Sequence, residues 1–459
     1  MQTHPRNISG IRLPSDSPLS QKDFIYGAAT AAFQIEGGRA SREPNIWDEF
    51  CLQEGKILDN SDGDIACNHF NLWRDDVELM QQMHLDAYRL SIAWPRVLNS
   101  DNQIDSRGLK FYHQLLDGLL EKGIKPFVTF YHWDLPLSLH ERGGWLNRDT
   151  AYQFAEYVDL ISRELADKVH SFATLNEPYC SAHLGYEAGI HAPGHKSRAE
   201  GIQAAHHLLL GHGLAMQVLK SNAPKSENGI VLNVSPMHSH TDSREDKLAT
   251  LLADDSVNHW YLMPLLEGRY PELLMSRLTL EERPSVEDGD MSIISSELDF
   301  LGLNYYTRTI VTSKSDGLYD VIPPEENPIT EMGWEVYPEG LTEILKQLDL
   351  RYKLPPVYIT ENGAAMMDEL KDGQVQDDER VDYLNNHLNA LHEATQAGVD
   401  VRGYFAWSLM DNFEWALGYT KRFGLVYIDY ETQKRILKKS GMAYSNFISS
   451  RQPHTEAMS

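Results

Sequence analysis

Eight short runs of β-branched and aromatic residues, alternating with segments of helical periodicity, constrain this chain more than any other feature. They are Phe24–Thr30, Ala87–Trp94, Lys125–Tyr131, Ser171–Glu177, Gly229–Ser235, Phe300–Tyr306, Val357–Glu361 and Val401–Ser408. Each is bounded by turn residues and reads as a strand buried on both faces. Between them lie amphipathic patterns such as Gly108–Lys122, in which Leu109, Tyr112, Leu116, Leu119 and Leu120 recur at helical spacing. That helix is expected to stop at Gly123, and the one before the last strand at Gly398, because glycine adopts the left-handed conformation of a helix C-terminus most cheaply. Alternating strands and helices require a parallel sheet with right-handed crossovers, and eight repeats predict an α/β fold, a single (β/α)8 TIM barrel. An open, doubly wound sheet is the alternative.

The 459 residues fit two or three average domains or one barrel with insertions. No linker, internal repeat or low-complexity segment marks a boundary. The chain is therefore read as one catalytic domain, residues 1–459, with 1–20 an extended N-terminal segment. The long intervals after the first, fifth and sixth strands are expected to carry inserted loops over the C-terminal face. Segments Asp242–Asp255 and Glu281–Asp290 read as solvated helix or loop.

Barrel enzymes place their sites at the C-terminal strand ends. Here those ends carry Gln34, Arg89, Trp94, His132, Trp133, Asn176, Glu177, Asn233, Asn304, Tyr306, Glu361 and Trp407. Glu177 in Thr174-Leu175-Asn176-Glu177-Pro178 and Glu361 in Ile359-Thr360-Glu361-Asn362-Gly363 each follow a strand and precede a chain-turning residue. Paired carboxylates suit cleavage of a glycosidic bond, in which one group protonates the leaving oxygen and the other meets the cationic transition state. An ionised Glu361 held by Arg89 would raise the proton affinity of Glu177 and keep it a competent acid. Tyr306 could donate to Glu361, although a strand tyrosine more often bonds backbone. Sugar hydroxyls call for amide, carboxylate and imidazole groups, and the C–H face of a pyranose for a flat aromatic wall. Gln34, His132, Asn176 and Glu414 fit the first need; Trp133, Trp407 and Trp415 fit the second.

Other chemistries find less support. The balance of 41 basic against 67 acidic residues gives a net charge of −26, which disfavours nucleic-acid and anionic-membrane partners. Three cysteines, no apolar core of signal-peptide length near the N-terminus and no apolar run long enough to span a bilayer suggest a cytoplasmic protein. Of the 19 histidines, His206, His207 and His212 fall in a helical pattern without a carboxylate set, and His238 and His240 in a polar loop. No HExxH, paired CxxC, GxGxxG or phosphate-binding loop appears, so neither a metal nor a nucleotide cofactor is expected.

Together the runs Phe24 to Gly37, Tyr88-Arg89-Leu90-Ser91-Ile92-Ala93-Trp94-Pro95-Arg96, Tyr131-His132-Trp133-Asp134-Leu135-Pro136, Thr174 to Pro178 and Tyr358 to Gly363 resemble the family 1 glycoside hydrolases of β-glucosidase type, from Phe24 to about Phe447. The resemblance implies a TIM barrel, a retaining mechanism, Glu361 as nucleophile and Glu177 as acid/base; Arg89, Asn304 and Tyr306 are the candidate supporting residues at the neighbouring strand ends. It implies glycone contacts at Gln34, His132, Asn176, Trp407, Glu414 and Trp415, with Trp334 on the aglycone side. Trp133 and Phe423 complete the candidate sugar contacts. Thioglucosidases of this family carry Gln where this chain has Glu177, so O-glycosides are expected. The phospho-glycosidase branch carries Ser and basic residues near Glu414, and an anionic Glu414 would repel a 6-phosphate. The expected substrates are cellobiose, short cello-oligosaccharides and aryl β-glucosides. β-Galactosides or β-fucosides are the second reading, and a non-catalytic sugar-binding barrel the third.

Overall fold

The computed structural model describes residues 10–315, 318–325 and 327–451. The eight apolar runs pair edge to edge as β1 (Ile25–Ala29), β2 (Ala87–Ser91), β3 (Lys125–Tyr131), β4 (Ser171–Asn176), β5 (Glu227–Val234), β6 (Phe300–Tyr305), β7 (Val357–Asn362) and β8 (Val401–Trp407). All neighbours are parallel, and β8 returns to β1 to close the barrel. Closure excludes the open sheet. It also explains the unbroken apolar character of the strands, which face the barrel interior on one side and the helices on the other. Inside, rings of Phe127, Phe300, Tyr358 and Phe405 fill the floor. They fit because small residues oppose them: a Cβ on Gly27 would lie 2.5 Å from the Phe405 ring.

The helices α1 (His69–Gln82), α2 (Ser106–Glu121), α3 (Asp149–Leu165) and α4 (Arg198–Asn222) follow the first four strands. Helix α2 begins because the Asp105 side chain accepts from the backbone N–H of Arg107 and Gly108. It ends before Gly123, at φ +72°; Gly398 likewise stands at +103°. Leu109, Tyr112, Leu116 and Leu119 pack inward, joined by Phe111 and Leu115. Leu120, expected on that face, is 45% exposed, since it falls one position beyond the stripe. A second correction concerns Trp94. The strand ends at Ser91, and Trp94 opens a short turn, Trp94–Val97, where its ring stacks on Tyr157 at 4.6 Å. It belongs to the packing outside the barrel, not to the site.

Insertions lie where the long intervals predict them. After β5 come α5 (Arg244–Asp254), a π-helical turn Asp255–His259 and α6 (Trp260–Glu267). Strand Met237–Ser239 of this insertion joins Thr309–Ser313 and Tyr319–Ile322, which follow β6, in a separate small sheet. Helices α7 (Glu339–Tyr352), α8 (Asp378–Gln396) and α9 (Lys439–Ser450) complete the outer layer. Of the N-terminal segment expected to be extended, residues 1–9 lie outside the described residues; Pro18–Ser20 forms a single 3-10 turn. Among the described residues no helix is long and apolar enough to cross a membrane.

Candidate active site

Two strand ends depart from regular pairing where the carboxylates emerge. The register of β4 against β5 shifts between Ala173 and Asn176, and that of β7 against β6 between Ile359 and Glu361. Such irregularities re-aim side chains at barrel rims. Asn176 thereby turns into the barrel mouth, and Glu177 follows with a left-handed backbone, φ +46°. Trp133 and Trp415 share that region, at φ +77° and +50°. A non-glycine residue held there costs about 1–3 kcal/mol, and three at one cavity mark a site that the surrounding packing enforces.

Glu361 accepts from Arg89 Nη1 at 2.6 Å and from the Tyr306 hydroxyl at 2.6 Å. Tyr306 thus bonds the carboxylate rather than backbone. The other arm of Arg89 donates to Asn176 Oδ1 at 2.6 Å. Asn304 Nδ2 donates to Asn176 Oδ1 at 3.1 Å and to Glu177 Oε1 at 2.7 Å, while its own oxygen accepts from Thr360 at 2.7 Å. One continuous network therefore joins the two carboxyl groups. Burial first, and the charge of Glu361 second, push Glu177 up to about 7, against the downward pull of Asn304, Cys180 and Arg89. Near neutral pH Glu177 can therefore hold a proton. Buried among apolar walls and paired, the two groups can do different jobs at once.

Around this pair, buried polar atoms lack protein partners: Gln34 Oε1, His132 Nδ1 and Glu414 Oε2. Gln34 spends its amide nitrogen on Asn412 and Phe413, at 3.0 and 2.8 Å, which leaves its oxygen as an acceptor. Burial and the Arg89 charge keep the His132 pKa far below its usual value, so the ring is neutral. Its Nε2 accepts from Asn176 Nδ2 at 3.2 Å, and Nδ1 is then a donor. Its ring lies alongside Trp407 and Trp415, at 6.0 and 6.1 Å. Trp133 packs on Trp415 at 4.6 Å and uses its indole N–H on the Asn176 carbonyl, at 2.9 Å, so it offers a sugar its ring and not a donor. Trp334 and Phe423 meet Tyr306 on the opposite wall. Apart from Trp94, which packs outside the barrel, the expected site residues thus gather at the barrel mouth.

The expected negative charge at Glu414 needs correction. Burial, and then the charges of Glu361 and Glu177, lift its pKa to about 8, so the group is largely neutral in the free site at pH 7. The nearby Lys421 is drawn toward Glu331, 3.8 Å away.

Three supports escape a reading of motifs. Asp411 anchors the loop carrying Glu414, Trp415 and Phe423 by accepting from Lys438 Nζ at 2.6 Å, Arg422 at 2.5 Å and the Gly424 N–H at 3.0 Å. Thr360 fixes Asn304. Cys180 donates its S–H to Glu177 Oε2 at 3.2 Å. Only the acidic Asp411 inside an aromatic run offered a signal. Among the described residues no group of three His, Cys, Asp or Glu side chains is arranged to hold a metal ion. His206 bonds Tyr270 and Asp290, His207 the Trp145 carbonyl, and His212 Thr174, all structural roles.

The model of glycosyl hydrolase family 1 matches residues 18–453. The chain belongs to that family. It is an O-glycoside hydrolase built on a (β/α)8 barrel. It is 43% identical over 431 residues to beta-glucosidase A of Thermotoga maritima, covering 93% of this chain and 96% of that one. It is also 43% identical, over 455 residues, to a bifunctional beta-D-glucosidase/beta-D-fucosidase of Bifidobacterium breve, covering 93% and 97%. Among solved structures, the Thermotoga maritima beta-glucosidase in complex with glucoimidazole superposes with a TM-score of 0.91 at 41% identity, covering 96% of this chain and 99% of that one. The family-1 barrel and its strand-end carboxylates therefore share one framework.

Proposed function

We propose that this family-1 hydrolase is a retaining β-glucosidase that removes terminal β-D-glucosyl residues, with Glu361 as nucleophile, Glu177 as acid/base and residues 1–459 acting as one catalytic domain. The observation that carries the assignment is the asymmetry of the pair: Glu361 sits between Arg89 and Tyr306, whereas Glu177 is lifted to about 7. A Glu361 oxygen attacks the anomeric carbon as the C–O bond to the leaving group breaks, and Glu177 gives that oxygen its proton. Esterified, Glu361 carries no charge, so Glu177 loses its repulsive neighbour and ionises more readily. It then takes a proton from water, whose oxygen displaces Glu361 and releases the β-anomer. Gln34, His132, Asn176 and Glu414 bind the sugar hydroxyls, Trp133, Trp407 and Trp415 the sugar faces, and Trp334 and Phe423 border the leaving group. Hydroxyl donors from the sugar favour the ionised form of Glu414, so binding strengthens those bonds.

The bifunctional relative gives β-fucosides the second place among substrates. Cellobiose, short cello-oligosaccharides and aryl glucosides head the range. The free state of Cys51, Cys67 and Cys180 supports a cytoplasmic setting. The deciding experiment treats the protein with 2,4-dinitrophenyl 2-deoxy-2-fluoro-β-glucoside and maps the labelled peptide. A stable sugar ester on Glu361 is expected; a label on any other residue, or an α-anomer as first product by NMR, overturns the mechanism.

A further inference from the structure

Six charged side chains meet beneath the loop that follows β8, and none of them takes part in the reaction steps. Asp411 stands at the neck of that loop and Arg422 on its returning arm; Asp368 lies in the segment after β7, Asp377 and Arg380 at the start of α8, and Lys438 just before α9. Lys438, fully buried, donates to Asp368 Oδ2 at 2.5 Å and to Asp411 Oδ1 at 2.6 Å. Arg380 holds both oxygens of Asp368, each at 2.9 Å, and pairs with Asp377. Arg422 closes the set on Asp411 Oδ2 at 2.5 Å and alone keeps appreciable exposure, 19%. Buried ion pairs recover little beyond the desolvation they cost, so a balanced set of three acids and three bases adds little stability. What it can fix is direction.

The direction fixed here is that of the sugar-binding loop. Besides Lys438 and Arg422, Asp411 accepts from the N–H groups of Gly424 at 3.0 Å and Ile428 at 3.4 Å, which ties the outgoing arm of the loop to the returning one. The approach requires glycine: a Cβ at Gly424 would lie 2.1 Å from the Asp411 nitrogen. Asn412, the next residue, accepts from Gln34 Nε2, as does the Phe413 carbonyl, and Glu414 follows directly. Gln34 Oε1 and Glu414 Oε2, both unpartnered toward the sugar, are therefore placed through this neck. His132 is placed differently, through Asn176. Neither Gln34 nor Glu414 joins the network between Glu177 and Glu361, so they meet the part of the ring away from the anomeric carbon. Arg380 also donates to the Ala364 carbonyl at 3.2 Å and to the Arg422 carbonyl at 2.8 Å. The segment leaving Glu361 and the loop carrying Glu414 thus share one frame, with Lys438 at its centre.

Resting on the β-glucosidase reading above, we propose that Lys438 is a positioning residue that sets recognition of the sugar's outer hydroxyls, by holding Asp411, and with it Gln34 and Glu414, in register with Glu361.

Lys438→Met alone would strand two buried carboxylates, so the first variant combines it with Asp368→Asn, which keeps the charges balanced while cutting the tether to Asp411. Arg422→Gln, at the exposed edge of the set, cuts the second tether and gives an independent check. The probes are 4-nitrophenyl β-D-glucoside and its 4-deoxy and 6-deoxy analogues, which share one leaving group. In both variants kcat/KM on the glucoside is expected to fall by about tenfold or more, and on at least one deoxy analogue by no more than about threefold, because the hydroxyl whose contact is disturbed is already missing. Retained turnover of that analogue also reports that the variants are folded. Equal fractional losses on all three substrates would overturn the proposal, since a merely structural network lowers every rate alike. So would an unchanged rate on the glucoside in both variants. The wild-type enzyme tests the β-glucosidase reading separately: if it hydrolyses the parent glucoside while the variants show no hydroxyl-dependent loss, only the present inference falls.

Discussion

The two ends of one cavity are built from different material. At the sugar end, the functional groups hang from barrel strand ends or from the loop directly after β8, and bonds that cross the barrel fix the carboxylate pair, as Arg89 of β2 reaches Glu361 of β7 and Asn176 of β4. At the outer end the wall comes from α4 and from insertions after β5 and β6, whose strands pair with each other rather than with the barrel. A rigid closed sheet can hold reacting atoms to a fraction of an ångström, which the chemistry demands. Insertions can vary without disturbing that geometry. Mutations at the sugar end should therefore act equally on all leaving groups, and mutations at the outer end selectively.

The largest effect should come from Glu361→Ala, because no other group lies where a glycosyl ester could form. Turnover of every glucoside is expected to fall by roughly 10^4-fold or more. Added azide should restore part of it and give the inverted α-glycosyl azide, detected by NMR. Substantial unassisted activity would mean that the nucleophile lies elsewhere and that the strand-end network has another purpose.

Glu177→Gln sharpens the comparison, since it is the one sugar-end change expected to depend on the leaving group. General acid catalysis contributes about 10^2 to 10^4-fold when the departing alcohol is poor. Methyl glucoside hydrolysis should drop by that amount, whereas the first step with a dinitrophenyl glucoside, which needs no proton, should barely slow. The variant should accumulate glycosyl-enzyme, visible as a pre-steady-state burst, because the base for water is also lost. Equal losses on both substrates without a burst would leave Glu177 a merely structural residue.

What could be read in the sequence follows the same division. Strands buried on both faces announce themselves as apolar runs, and a carboxylate at the end of such a run has few reasons to be there other than chemistry. So Glu177, Glu361, Arg89 and Asn304 were legible, as were all eight strands to within a few residues. The charge state of Glu414 was not, because it depends on how close two other carboxyls come in three dimensions and on burial. Nor was the anchor Asp411–Lys438, whose partners are 27 residues apart in the chain. Trp94 and Leu120 were misplaced for a simpler reason: periodicity locates an apolar stripe but not its last residue.

An intermediate effect is expected from Glu414→Ala. The lost hydrogen bonds to a carboxylate are worth about 1.5–3 kcal/mol, or roughly 10- to 100-fold in kcat/KM. The loss should be the same for methyl, 2-phenylethyl and dinitrophenyl glucosides. A loss confined to one aglycone would place Glu414 on the wrong side of the cavity. Within the same variant, removing a group that titrates at about 8 should flatten the rise of KM with falling pH below that value.

The smallest effect tests how finely the sugar end is tuned. Burial and the neighbouring Glu177 carboxyl push the Cys180 thiol far above its usual pKa, so it stays an S–H donor throughout the working range. Its bond to Glu177 Oε2 favours the ionised carboxylate and pulls the Glu177 pKa down. Acid catalysis needs Glu177 protonated, so kcat/KM falls as pH rises through that pKa. Cys180→Ala removes the donor, raises the proton affinity of Glu177 and should move this basic limb to higher pH. Cys180→Ser supplies a stronger donor and should move it down. At pH 7 the alanine variant should also release glycosyl-enzyme more slowly, since less Glu177 is available as base. Three pH profiles on methyl β-glucoside decide the matter. Superimposable basic limbs for wild type, Ala and Ser would show that the thiol only fills space and leaves Asn304 as the donor that tunes the acid.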